Sequence, residues 1–459
     1  MSSMSSPPLL DETLRLVARR YRLPPLADAM SRMQEASAST TLALAIEAAR
    51  SAIERGSAPD STSKRLFIEA LARLIHDAMR TEAGDPVFQA MVLRHHAAQV
   101  REYASVSAHE TQDRRAVRVA VDSIAHPRKQ ERIEHASQRE ALARLHAAGS
   151  SESASGLFDT VRSLLDMPEI ANDSSLGRGL TQLRDSAALE RLRRLEALET
   201  EETVREYRSL WDRSGPRPGS ETAVARGVEA KRRGAAMEAS AARALEALAL
   251  RLEEAQGQAA SYRVVTSMRV PASIPGSHAR AKTEWDAVLL RSAQTSDAEL
   301  VWDVCLFVEA KASVDAATTD FARLLRGLRL LAHAEAHIDY SFDTQQGTFL
   351  IRGASLSALR TDEAALERTV LYCCDAPVER APRLLSAAGR MQLLSTPASL
   401  EFACTLMNEQ HAANRDLEPV WDALLESPQW AAVLNQYPML CQVRELMVHP
   451  EDLLCAIAG

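Results

Sequence analysis

Lysine is scarce in this chain. Only Lys64, Lys129, Lys231, Lys282 and Lys311 occur among 54 basic residues, so arginine carries nearly all the positive charge. Aromatic residues are also few, at 4%, and positive charge is not in excess, because 62 acidic residues leave a net charge of -8. No global basic field draws such a chain onto nucleic acid. Contact with phosphate would have to rest on local basic patches or on a bound cation. There is no apolar run of the roughly 18 residues that a membrane-spanning helix needs. Residues 1–8 are rich in Ser and Pro and lack the basic and apolar segments of a secretory signal. The sequence therefore predicts a cytoplasmic protein with no membrane partner. The six cysteines all lie in the C-terminal half without zinc-ligand spacing, and they read as small buried hydrophobes in a reducing compartment. Walker A, dinucleotide-fingerprint, nucleophile-elbow and His-Glu-x-x-His motifs are all missing.

What is present is mostly helix-forming. Alanine, leucine, arginine and glutamate dominate, and the alanine and arginine bias suggests a GC-rich bacterial genome. The fold class expected is α+β, predominantly helical. Residues 1–213 read as helix after helix, with a charged segment over 87–146 that has the look of a two-helix arm or coiled coil. Ser214-Gly-Pro-Arg-Pro-Gly-Ser220 is the strongest break, and the linker is placed at 214–220. Strand-like runs appear only after it, so 221–380 is expected to be an α/β domain. Residues 381–459 return to helical spacing and are expected to be an extension packed on that core.

The chemistry-bearing stretch is Glu284-Trp-Asp286 through Phe307-Val-Glu309-Ala-Lys311. Two strand-like runs each deliver an acidic residue. In a strand, residues i and i+2 share a face, so Glu309 and Lys311 stand side by side with Ala310 turned away. Carboxylates suit a hard divalent cation, and a lysine beside them suits water or phosphate. A chain that uses Arg nearly everywhere but Lys here points to a need for a compact ammonium.

Asp286 followed by Glu309-Ala-Lys311 resembles the signature of the PD-(D/E)xK nuclease superfamily, over residues of about 230–376. The order of expected elements is compatible: a helix over 235–254, strands over 262–270, 283–291 and 300–312, a helix over 320–337, then strands over 347–352 and 369–375. The resemblance implies a restriction-endonuclease-like core and a nuclease acting on DNA in preference to RNA, in bacterial defence or repair. It implies Asp286, Glu309 and the Ala310 carbonyl as ligands of Mg²⁺ or Mn²⁺, and Lys311 as the catalytic ammonium. It also implies a role for Glu238, since many members carry a glutamate on the helix before the first strand.

Other residues weigh less. His95, His96 and His126 read as surface or packing residues, because adjacent helical histidines point about 100° apart. Asp303 shares strand parity with Glu309 but lies about 20 Å along the strand, too far for the same ion. Lys231, Arg232 and Arg233, and Arg323, Arg326 and Arg329, form local basic clusters that suit either phosphate or solvent. The helical N-terminal region is expected to serve partner recognition or self-association. The rival expectation is a catalytically inactive nuclease-like fold in a helical interaction or scaffold protein.

Overall fold

Strong helix formers give a chain that, among the described residues, is mostly helical with one mixed seven-stranded sheet. The computed structural model describes residues 7–23, 37–151, 153–171, 174–216, 219–257, 260–293, 300–379 and 382–459. Residues 1–6 of the expected N-terminal segment and residues 217 and 218 of the expected linker lie outside the described residues. Among the described residues no helix is long and apolar enough to cross a membrane.

Two compact units result, each assembled from separated stretches. One comprises Met1–Leu74, Pro218–Leu393 and Leu417–Gly459; the other comprises Ile75–Arg217 and Leu394–Asp416. The second unit is helical. The segment 87–146, expected as an arm or coiled coil, is instead a series of helices, Pro86–His96, Ala98–Ser107, Glu110–Ala125, Pro127–Gln130 and Ala136–Ser150. Val117, Val121, Leu142 and Leu145 bury their side chains with Leu157, Val161, Leu180 and Leu189. Widely spaced apolar residues thus supply a shared core rather than a supercoil seam.

The first unit carries the sheet. Its strands are β1 (Tyr262–Arg269), β2 (Glu284–Ala293), β3 (Val301–Ala310), β4 (Asp339–Thr344), β5 (Gly347–Arg352), β6 (Val370–Cys373) and β7 (Met447–Val448). β1, β2 and β3 form an antiparallel meander. β3 is long enough to pair in parallel with β5 at its start and with β6 at its end. Its side chains alternate between two cores. Phe307 joins one apolar cluster, and Leu306 and Val308 join the other. A strand buried on both faces reads as a continuous apolar run, which is why Val301 to Val308 is so hydrophobic.

Helices cover the faces: α1 (Pro8–Leu16), α2 (Glu221–Gln256), α3 (Val314–Ala332), α4 (Gln436–Leu446) and α5 (Pro450–Ala458). α2 buries Met237, Ala241, Leu245, Leu248 and Leu252, spaced three to four residues apart, against the Leu306 face with Leu10 and Leu14 of α1 and Leu453 and Ile457 of α5. It starts earlier than expected, where the Ser220 hydroxyl accepts from the Ala223 amide, and it ends at Gly257, whose φ of 63° suits a residue without Cβ. α3 packs Phe321, Leu324 and Leu328 on the Phe307 face. Its true start is Val314, capped by the Ser313 hydroxyl.

This division differs from the expected partition into 1–213, 221–380 and 381–459. The first 74 residues group with the sheet, and Leu394–Asp416 groups with the helical unit. The reason is burial. Tyr21 is nearly fully buried, and its hydroxyl lies 2.8 Å from the Cys374 carbonyl and 2.7 Å from the Ala376 carbonyl, just past β6. Tyr21→Phe removes the one hydroxyl proton that the two carbonyls share and is expected to destabilise this unit by about 1–3 kcal/mol. Urea unfolding of parent and variant checks it; an unchanged midpoint would place residues before Leu74 outside the cooperative core.

Candidate functional site

The register that pairs Ala287 with Val308 sets Asp286 opposite Glu309 at the open end of the β2–β3 ladder. Asp286 Oδ2 accepts from the Ala310 amide at 2.8 Å. Strand alternation sends Glu309 to the face of Phe307, under α3, where it is fully buried. Lys311 continues the strand line, its amide donating to the Cys373 carbonyl at 2.9 Å. Its ammonium stands 3.0 Å from Glu309 Oε2, 3.8 Å from Asp286 Oδ2 and 3.4 Å from Asp320 Oδ2. Asp286, Glu309 and Lys311 thus meet.

Burial penalises the Glu309 carboxylate, and the Asp286 charge adds to this, so its pKa is pushed up to about 7 although Lys282 and Lys311 pull it down. Burial works against the Lys311 ammonium too. Glu309, Asp286 and Asp320 outweigh it and hold the lysine above its ordinary value. Lys311 is therefore a fixed positive donor, not a base. Glu238, exposed on α2, is raised by partial desolvation and then by Asp286, with Lys311 opposing, so it lies within the field of the site. Glu284 faces Arg269, Nε to Oε2 at 3.8 Å. Asp303 is bound by Arg352 toward the other end of β3.

Three residues that the sequence reading did not place here complete the cluster. Lys282 is buried, and its ammonium lies 2.6 Å from Glu309 Oε2. Asp320 enters from α3. Tyr372 of β6 pairs with Glu309 across the ladder, and burial followed by the Asp320 charge raises its phenol. The scarcity of lysine was a usable signal for Lys282, because two of the five lysines in the chain end here.

The loop bearing Lys282 is fastened to α3. The Lys282 amide donates to the Arg323 carbonyl at 3.2 Å, and Arg326 Nε donates to the Arg280 carbonyl at 2.8 Å. Arg326 thus spends its Nε–H on this loop, and its side chain is exposed. Gly327 lies directly beneath; a Cβ there would come within 2.8 Å of both the Cβ and the carbonyl oxygen of Lys282. Gly327→Ala is expected to push the loop outward at a cost of about 1–3 kcal/mol, and to weaken whatever Glu309 does through Lys282. Thermal unfolding of the variant reads this directly, and an unchanged Tm would mean the loop yields freely.

Three oxygens of the cluster are buried with no hydrogen-bond partner, Glu309 Oε1, Asp320 Oδ2 and the Tyr372 hydroxyl, whereas Glu309 Oε2 takes both ammoniums. Among the described residues no three Asp, Glu, His or Cys side chains are grouped closely enough to hold a metal alone. Mg²⁺ does not require that, because it keeps several waters and takes one or two carboxylates. Asp286, Glu309 Oε1 and the Ala310 carbonyl are an all-oxygen donor set of the right hardness, so the residues present fit such an ion. No family model, no curated protein and no solved structure matches this chain.

Proposed function

We propose that the Asp286–Glu309–Lys311 cluster is the active site of a metal-dependent nuclease of PD-(D/E)xK type, acting on DNA in preference to RNA. The observation that carries this reading is the meeting of two carboxylates and one ammonium at a strand end, with a buried carboxylate oxygen left unpaired. The chain order supports it: a helix, three antiparallel strands, a helix, and a strand parallel to the third.

Asp286, Glu309 and the Ala310 carbonyl would hold Mg²⁺ or Mn²⁺, which supplies a Lewis acid and a more acidic bound water. The Ala310 amide fixes Asp286, and the two lysines fix Glu309 through Oε2. Lys311, held protonated, orients the attacking water and donates to the phosphoryl oxygens as charge develops on them. Water adds to phosphorus as the bond to the 3′ oxygen breaks, leaving a 5′-phosphate and a 3′-hydroxyl.

A second reading, an inactive nuclease-like fold in a helical interaction protein, is favoured by one observation. Lys282 and Lys311 already balance Glu309, so the cluster coheres as an ion-pair network with no cation. The full-length chain incubated with linear, nicked, branched and single-stranded DNA and with RNA separates the two. Cleavage is expected with Mg²⁺ or Mn²⁺, and binding without cleavage with Ca²⁺, which coordinates loosely. No cleavage of any substrate, together with no heat of metal binding by calorimetry, would transfer the assignment to the second reading.

A further inference from the structure

Resting on that reading of Asp286 and Glu309 as a cation site, we infer that Lys282 stands in for a second cation, so that the site takes a single divalent ion. Two-metal phosphodiesterases place their ions about 3.5–4 Å apart, with carboxylate oxygens shared between them. Here one of the two Glu309 oxygens, Oε2, is capped by Lys282 at 2.6 Å and by Lys311 at 3.0 Å and so is not open to share between ions. Only Oε1 is left, buried and without a partner. Glu309 can therefore serve one ion, through one oxygen.

Lys282 is built in rather than merely near. Its side chain is 5% exposed and Glu309 is 0% exposed, so neither charge reaches bulk water. The ammonium also lies 5.8 Å from the centre of the Trp285 ring, a face that favours a cation. Its backbone is hydrogen-bonded to the Arg323 carbonyl and seated against Gly327, so the root of the side chain is held in place. Charge balance gives the same answer. Asp286, Glu309, Asp320 and the nearby Glu238 face Lys282 and Lys311, so the two lysines and one divalent ion bring four positive charges against four carboxylates. A second would place uncompensated positive charge in a buried site.

The lysine is thus a positioning residue that sets metal number. Counting Mn²⁺ bound to the full chain, by electron paramagnetic resonance of the free ion during titration, tests this without relying on cleavage. One Mn²⁺ per chain is expected for the parent. Two are expected for Lys282→Met and for Lys282→Gln, which keep the stem or its length and remove the charge. The metal dependence of cleavage should steepen from first to second order in the same variants. Two Mn²⁺ on the parent, or one on variants that retain the parent's circular dichroism, would overturn the inference while leaving the cation site intact. No Mn²⁺ on the parent would overturn the cation site itself, and this assignment with it. The two substitutions are independent, so where one variant fails to fold the other carries the test.

Discussion

Lys311→Ala is expected to lower phosphodiester cleavage by about 10²–10³-fold while leaving substrate affinity within a few-fold of the parent. The asymmetry follows from where the charge acts. The ammonium sits among three carboxylates at 3.0–3.8 Å and is held protonated, so it offers a preorganised donor to charge that exists only in the transition state. Ground-state binding of a long nucleic acid depends on many phosphate contacts and loses only one. Single-turnover rates and Ca²⁺-supported binding of the same substrate measure the two quantities separately. Equal losses in both would make Lys311 a binding residue. An unchanged rate would assign the cleavage to another site or to a contaminant.

Metal affinity is expected to rise about 100-fold between pH 5 and pH 8, close to tenfold per unit until about 7 and little beyond. Glu309 is protonated in the metal-free fold at low pH, because burial and Asp286 oppose its charge, and the ion must displace that proton. The same shift has a stability counterpart of opposite sign. A carboxyl whose folded pKa is raised favours the fold below its ordinary value, and that contribution is lost as pH rises through about 7. The metal-free protein should therefore lose the Glu309 contribution toward pH 8, and added Mn²⁺ should restore stability there but not at pH 5. Calorimetry in buffers of different ionisation enthalpy counts the proton. Release near one proton at pH 6 and none at pH 8.5 is expected, and no release at either pH would mean that Glu309 is not a ligand.

The placement of Glu309 and Lys311 was legible in the sequence, because local pattern decides structure there. The apolar run before Glu309 and the parity of Glu309 with Lys311 follow from the strand period alone. β5 follows equally directly. β4 was not anticipated, although Tyr340 and Phe342 alternate with Asp339, Ser341 and Asp343; this short, polar strand owes its place between β1 and β5 to pairing rather than to propensity. β7 is two residues long within a stretch that reads as helix, and only parallel pairing with β6 makes it a strand. α3 begins earlier than its charged residues suggest, and the Ser313 cap was the missed local signal. The cluster around Glu309 was half visible. Asp286 and Lys311 stand in the motif, but Lys282 and Tyr372 arrive through loop docking on Gly327 and parallel pairing with β6, neither of which has a local signature. The placement of Leu10, Leu14 and Tyr21 with the sheet is likewise a long-range contact that no window of sequence contains.

The measurement that bears most directly on the site is an anomalous difference map from crystals soaked in Mn²⁺. It should contain one peak within about 2.0–2.6 Å of an Asp286 carboxylate oxygen, Glu309 Oε1 and the Ala310 carbonyl oxygen, with Lys311 beside it. A peak held by other residues, or none in crystals whose Glu309 is unprotonated at pH 8, would contradict the metal-dependent site.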